Sequence, residues 1–210
     1  MKLYSYWRSS AAYRVRIALN LKGLSADYAA VNLLNREHKD PAYLERNAAG
    51  LVPTLELDDG RCLTQSLAIL RWLDEEYPVP PLLPADSFER ARVESMAFTV
   101  ACEIHPLNNM GTLNYLKTEF GADQDALNRW MHQWLDRGFT TLEAEIAAAP
   151  YCTGDSISLA DVLLVPMVYN ALRFEYPLEQ KQPKVFAVWS ACNELEPFIA
   201  ARPENQPDAV

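Results

Sequence analysis

Arg8-Ser9-Ser10 stands between a short apolar run, Leu3 to Tyr6, and a helical pattern in which Val15, Ala18, Leu19 and Leu21 are apolar and Gly23 closes the register. Two hydroxyls and a guanidinium therefore sit where a strand turns into a helix. The open N–H groups and positive dipole end of such a helix favour an anion. If that anion is a thiolate, a serine hydroxyl donates to it and lowers its pKa. The same serines also suit plain helix capping, and the stretch by itself leaves both readings open. Gln65-Ser66 repeats the arrangement at a second strand-to-helix junction, suited to a carboxylate. Val52-Pro53 stands before a strand, a place for a cis bond, which would leave the Val52 amide and carbonyl to pair with an extended peptide. The three features converge on a small peptide that carries a thiol and carboxylates.

The elements that must position these groups alternate in the first half. Strands are expected at Leu3–Tyr6, Tyr28–Leu33, Thr54–Leu57 and Arg61–Thr64, the last two joined by the turn Asp58-Asp59-Gly60. Helices are expected over Ala11–Leu21, Pro41–Arg46 and Ser66–Tyr77, with a polar loop Asn35–Asp40 carrying His38. The order β-α-β-α-β-β-α fits a small mixed sheet with helices packed on it. Pro78 to Pro84, four prolines in seven residues, ends this half as a stiff linker.

The second half is expected to be helical throughout. One helix runs from Ser87 or Phe88 past Tyr115. Another runs from Asp125 to Ala148, with Leu127, Trp130, Met131, Trp134, Leu135, Leu142 and Ile146 on one buried stripe. Pro106 and Pro166 fall inside helical patterns and predict kinks; the first would tilt His105, Asn108 and Asn109 toward a cleft. Ser158-Leu159-Ala160-Asp161, flanked by Ile157 and Val162, reads as a capping box with a hydrophobic staple, a folding feature with no catalytic duty. Arg14 and Arg16 read as structural arginines within their helix.

With 28 acidic against 19 basic residues, a net charge of −9 argues against non-specific nucleic-acid or anionic-lipid binding, so an acidic substrate needs a local cationic site. The N-terminus lacks the pattern of a signal peptide and no stretch has the apolar length of a membrane helix, which predicts a cytoplasmic chain. Cys62, Cys102, Cys152 and Cys192 are far apart and read as buried reduced thiols. Three histidines without ligand spacing predict no metal site.

The chain resembles the zeta-class glutathione transferases, of the bacterial maleylacetoacetate and maleylpyruvate isomerase type. The marks are Arg8-Ser9-Ser10 with Tyr13-Arg14-Val15-Arg16-Ile17-Ala18-Leu19, then Val52-Pro53, Gln65-Ser66-Leu67-Ala68-Ile69, His105-Pro106-Leu107-Asn108-Asn109, Ser158-Leu159-Ala160-Asp161 and Asn205-Gln206-Pro207-Asp208. The resemblance covers essentially the whole chain. It implies an α/β thioredoxin-like glutathione-binding domain over residues 1–80, an all-α substrate-binding domain over 86–210, a homodimer and a glutathione cofactor. By position, Ser9 and Ser10 would hold the glutathione sulfur. Val52 would pair with its cysteinyl backbone beside cis-Pro53, Gln65 and Ser66 would bind the γ-glutamyl end, and His38 the glycyl side. His105 and Asn109 would face sulfur and substrate, and Arg8 and Arg173 would hold the acid. The family's usual cysteine after the two serines is Ala11 here. Met110 and Gly111 stand where maleylpyruvate isomerases carry arginines, which weakens that assignment more than the general one.

The activity implied is glutathione-dependent cis–trans isomerisation of maleylacetoacetate, a small acidic enedione. Thiolate adds to the double bond, charge moves to the neighbouring carbonyl, the single bond rotates, and elimination returns the trans isomer. Other readings are a maleylpyruvate isomerase, a general glutathione transferase or α-halo acid dehalogenase, and a non-catalytic glutathione-binding adaptor. Arg8 with Arg173 favours acidic substrates, and the retained Ser9, Ser10, Gln65 and Ser66 disfavour the adaptor.

Overall fold

A computed structural model describes residues 1–147 and 149–210. The chain forms two compact units, Met1–Pro81 with Asn193–Val210, and Leu82–Cys192. The tail from Asn193 thus packs with the first unit, whereas the family resemblance groups it with the helical residues 86–210.

In the first unit the order is β1 (Lys2–Ser5), α1 (Ser10–Leu21), β2 (Asp27–Ala30), α2 (Pro41–Leu44), β3 (Thr54–Glu56), β4 (Cys62–Thr64) and α3 (Ser66–Glu76). This is the expected alternation, with β1 starting one residue earlier and the other three strands shorter. The sheet order is β2-β1-β3-β4, parallel between β1 and β2 and antiparallel elsewhere. α1 is buried almost all round because α3 and the tail helix α11 (Glu196–Ala200) both pack on it. That explains why its polar positions are buried too. Arg16 donates to Ser5 Oγ, the Trp7 carbonyl and the Ala201 carbonyl at 3.0–3.1 Å, and Arg14 Nη1 donates to Ser66 Oγ at 3.1 Å. Burial pushes the Arg16 guanidinium down to about 10, nearby Tyr28, Tyr13, Asp208 and Glu204 working against it. Both arginines are structural, as their place in the helix predicts.

The second unit holds α4 (Ser87–Phe98), α5 (His105–Asn108), α6 (Met110–Phe120), α7 (Gln124–Glu145), α8 (Leu159–Arg173), α9 (Leu178–Lys181) and α10 (Pro183–Cys192). The single helix expected from Ser87 past Tyr115 is broken. Pro106 has no N–H for the Cys102 carbonyl, and residues Thr99–Ile104 widen into π turns. Asn109 is then extended (φ −77, ψ 161) and caps α6 through the Thr112 amide at 2.9 Å. A methyl at Gly138 of α7 would lie 2.2 Å from Ile104 Cγ1, so glycine there admits the widened segment. Pro166 lies inside α8.

Two further expectations need correction. Trp130 and Trp134 are only half-buried, each spanning the edge of the stripe, and the Trp130 indole donates to the Leu107 carbonyl at 2.7 Å. Cys152 and Cys192 are buried, but Cys62 is half-buried and Cys102 exposed on the π segment; all four are free. α7 ends at Glu145, and the expected terminus at Ala148 lies outside the described residues. No described helix is long and apolar enough to cross a membrane.

Candidate functional site

Strand register gathers four chain segments at one end of the sheet. Ser5, the last residue of β1, pairs with Ala30, the last of β2; Tyr4 pairs with Thr54, the first of β3; Thr54 pairs with Thr64, the last of β4. What leaves or enters the sheet there is Tyr6–Ser9, the loop that carries His38, Gly50–Pro53, and Gln65-Ser66. The antiparallel pairings make this one place, so six of the sequence-predicted site residues (Ser9, Ser10, Val52, Pro53, Gln65 and Ser66) issue from it, with Arg8 beside them.

At the first junction Ser9 is the N-cap of α1, its Oγ accepting from the Ala12 amide at 3.2 Å. The capping reading is realised, yet the hydroxyl proton is still available, because accepting from an amide uses only a lone pair. Ser10 opens the helix and is buried. No acidic side chain stands in the first turn of α1. The Arg8 guanidinium is half-buried over the Trp7 ring, 4.7 Å from its centroid.

The segment before β3 is pinned so that Val52 is presented. The Leu51 carbonyl accepts from the Tyr43 hydroxyl at 2.6 Å and from Asn47 Nδ2 at 2.7 Å, and both also meet Thr54 Oγ1. Gly50 has φ +56, and a Cβ there would lie 2.7 Å from the His38 carbonyl. Only glycine lets the two loops meet so closely. The Val52–Pro53 bond is cis, and the Val52 amide and carbonyl have no hydrogen-bond partner among the described residues. Tyr43, Asn47 and Thr54 were not singled out from the sequence; a Tyr on the short helix α2 and an Asn just after it carry no signal until the chain turns back to set Leu51 over them.

Gln65 takes φ +67 and ψ 115, a region that a residue with a Cβ rarely enters. Such strain persists where its surroundings hold it and points to function. It aims the chain into α3 with the Ser66, Leu67 and Ala68 amides unpartnered among the described residues, while Arg14 fixes the Ser66 hydroxyl. His38 lies in the turn Glu37–Lys39, and its Nδ1 is buried without a hydrogen-bond partner. Burial holds its pKa below 6.5, with Lys39 and Arg36 adding to the effect and Asp40 opposing it.

The other predicted residues belong to the second unit. His105 begins α5 and is half-buried; Asn109 caps α6; Arg173 is exposed in the last turn of α8, with Nη1 3.4 Å from Asn170 Oδ1. Met110 puts an exposed apolar side chain at the start of α6, and a methyl at Gly111 would come within 3.2 Å of Asn109 Oδ1. The first unit alone supplies a hydroxyl, an open peptide edge, an amide-lined helix start and a half-buried imidazole whose Nδ1 has no partner. That donor set fits a peptide with one thiol and two carboxylates.

The glutathione S-transferase N-terminal domain profile matches residues 3–81, and the glutathione S-transferase C-terminal domain profile matches 132–196. A maleylpyruvate isomerase of Ralstonia sp is 46% identical over 214 residues, all of both chains. A solved holo structure of maleylpyruvate isomerase, described as a bacterial zeta-class glutathione S-transferase, superposes with a TM-score of 0.96 at 46% identity over the full length of both chains. The maleylacetoacetate isomerase of Anaeromyxobacter dehalogenans 2CP-1, solved with bound GSH in its active site, gives a TM-score of 0.89 at 43% identity, covering 100% of this chain and 97% of that one.

Proposed function

The chain belongs to the zeta class of the glutathione S-transferase family, and on that footing we propose that it is a glutathione-dependent cis–trans isomerase of maleylacetoacetate. The observation that carries the reading is the sheet end, where a guanidinium and two hydroxyls share one helix start with an open peptide edge alongside. When bound, glutathione supplies the sulfur nucleophile that makes a cis double bond transiently single.

The residues divide the remaining work. The Val52 amide and carbonyl bind the peptide backbone, the first amides of α3 with Gln65 and Ser66 bind the γ-glutamyl end, and His38 binds the glycyl carboxylate. Ser9 and Ser10 hold the sulfur ionised by donating to it, helped by the positive end of α1. Arg8 binds the acid or stabilises charge at the carbonyl, and Arg173 takes the other task; a guanidinium suits both because its fork matches a carboxylate. His105 and Asn109 contact sulfur and substrate. Residues 1–80 act as the glutathione-binding domain and 86–210 as the substrate-binding domain of a cytoplasmic homodimer.

Maleylpyruvate is the second reading, favoured by the 46% identity to an enzyme of that name. Maleylacetoacetate and maleylpyruvate are followed by absorbance with purified protein, with and without glutathione. Glutathione-dependent loss of the cis acid is expected, faster for maleylacetoacetate; acceleration of neither sinks the isomerase.

A further inference from the structure

The tail returns to the turn that carries Arg8 and Ser9. After a short helical turn, Pro203–Asn205, the Asp208 carboxylate reaches back across the sequence. Its Oδ2 accepts the Trp7 amide at 3.1 Å and its Oδ1 accepts the Tyr28 hydroxyl at 2.6 Å. On the other side of the same residue, Arg16 Nη2 donates to the Trp7 carbonyl at 3.0 Å, and Arg16 Nε donates to the Ala201 carbonyl at the head of the tail. Ala209 packs against the cluster of Tyr6, Trp7, Val31, Tyr43 and Val52. Burial and the Asp208 carboxylate push the Tyr28 hydroxyl well above its ordinary range, which keeps it a donor.

The place matters more than the number of bonds. Residues 6–8 lie between the end of β1 and Ser9, whose carbonyl accepts the Tyr13 amide at 2.9 Å as the cap of α1, so they are the stretch that neither a strand nor a helix spans. There the Ser9 amide donates to the Tyr6 carbonyl at 2.9 Å, and both peptide groups of Trp7 are held, one by Asp208 and one by Arg16. Trp7 in turn carries Arg8 on its ring. Rotation of the Trp7 amide would swing the next peptide and with it the Arg8 guanidinium, and would pull on the Ser9 amide, which donates to Tyr6 while the Ser9 hydroxyl and carbonyl stay tied to α1.

We propose that Asp208 is a positioning residue for this turn: through the Trp7 amide it sets where Ser9 and Arg8 point. The sulfur-binding half of this inference rests on the glutathione reading above. A tail that only covers the core would contribute to stability and leave the turn's geometry alone.

The test is Asp208→Asn in the full chain, with Tyr28→Phe beside it, because phenylalanine removes one bond of Asp208 and spares the Trp7 amide. Two quantities are read: hydrogen exchange at the Trp7 amide without ligand, and the pKa of the bound glutathione thiol from its thiolate absorbance. The sign of the second is decisive. Loss of a nearby negative charge alone would lower the thiol pKa, whereas loss of Ser9's aim raises it. For Asp208→Asn, Trp7 exchange is expected to quicken roughly tenfold and the thiol pKa to rise by about 0.5 or more, a change of about threefold in thiolate below that pKa. Tyr28→Phe is expected to move either by less than about twofold. A thiol pKa that falls or stays put in Asp208→Asn overturns the proposal. Should that variant fail to fold, the unsubstituted chain decides: Trp7 protection equal to that of the β1 amides supports the clamp, and free exchange overturns it. If the unsubstituted chain binds no glutathione, the proposed function fails by itself, and the clamp is judged on Trp7 exchange.

Discussion

Two helices of this chain begin with a serine cap, and the two starts serve different ends. At α8 the box is closed. The Asp161 carboxylate accepts the Ser158 amide, the Ser158 hydroxyl and the Cys152 amide, each at 2.8 Å, and it is fully buried. At α1 the box is open. Ser9 caps the Ala12 amide, but no acid stands in the first turn to occupy the other donors. The residue type is the same; what differs is whether the chain brings its own anion. A start that supplies its own carboxylate is used up in folding, and one that lacks it is left to bind an anion from outside.

The widest separation between the two starts is expected for Asp161→Ala. It leaves two amides and a hydroxyl buried without an acceptor, so stability should fall by about 3 kcal/mol. Thermal melting measures the loss, and turnover per folded molecule should stay intact. Normal melting with lost turnover would refute a folding role. Ser9→Ala is the converse experiment. Its lost cap should cost only about 1 kcal/mol of stability. Its lost donor to the sulfur should cost roughly 10²-fold in kcat/KM, with a raised thiol pKa. Equal stability losses at the two serines, with no loss of turnover at Ser9, would erase the distinction.

The difference between the starts was largely legible in the sequence, because both depend on short-range spacing. Ser158 and Asp161 are three apart, and a cap and its box must lie within one turn. The alternation of the first unit was legible for the same reason, as was the fragility of the helix at Pro106. The strain at Gln65 was not, since φ is set by how β4 must hand over to α3. Nor were the Tyr43 and Asn47 props beneath Leu51: they are only eight and four positions from it, but the irregular turn between them follows no periodic pattern. The Asp208 contact spans 201 positions. No local pattern foretells it, although the tail sequence stood out by its likeness to the family. Cys102 misled because composition predicts a thiol's average burial, while the π segment decides which way this one faces.

Arg8 sharpens the open start further. Stacked on Trp7 ahead of the helix, it adds a cation to the proposed anion site, and the proposed division gives it to the substrate and not to glutathione. Arg8→Met keeps the stacking volume and removes the charge. It should raise KM for the acid roughly tenfold, the scale of one charge-assisted hydrogen bond, with glutathione affinity nearly unchanged. Isothermal titration with glutathione beside steady-state kinetics separates the two. A matching loss of glutathione affinity would move Arg8 into the cofactor site.

The smallest effect tests the other end of the proposed glutathione site. His38 is held below 6.5 chiefly by burial, so the free chain carries it mostly neutral at pH 7. A glycyl carboxylate brought to it favours the protonated ring and raises its pKa in the complex. Linkage then fixes the sign: the complex binds more protons than the free chain, so affinity rises as pH falls through the complexed pKa and levels off below the free one. S-methylglutathione is the right probe, because it has no thiol to titrate over the same range. Between pH 7.5 and 5.5 its affinity should rise by about threefold, the scale of a half-exposed ion pair, and His38→Ala should flatten the profile. A flat profile in the unsubstituted chain would leave the buried Nδ1 of His38 without the carboxylate assigned to it. The outside anion of the open start would then be held by sulfur and γ-glutamyl contacts alone.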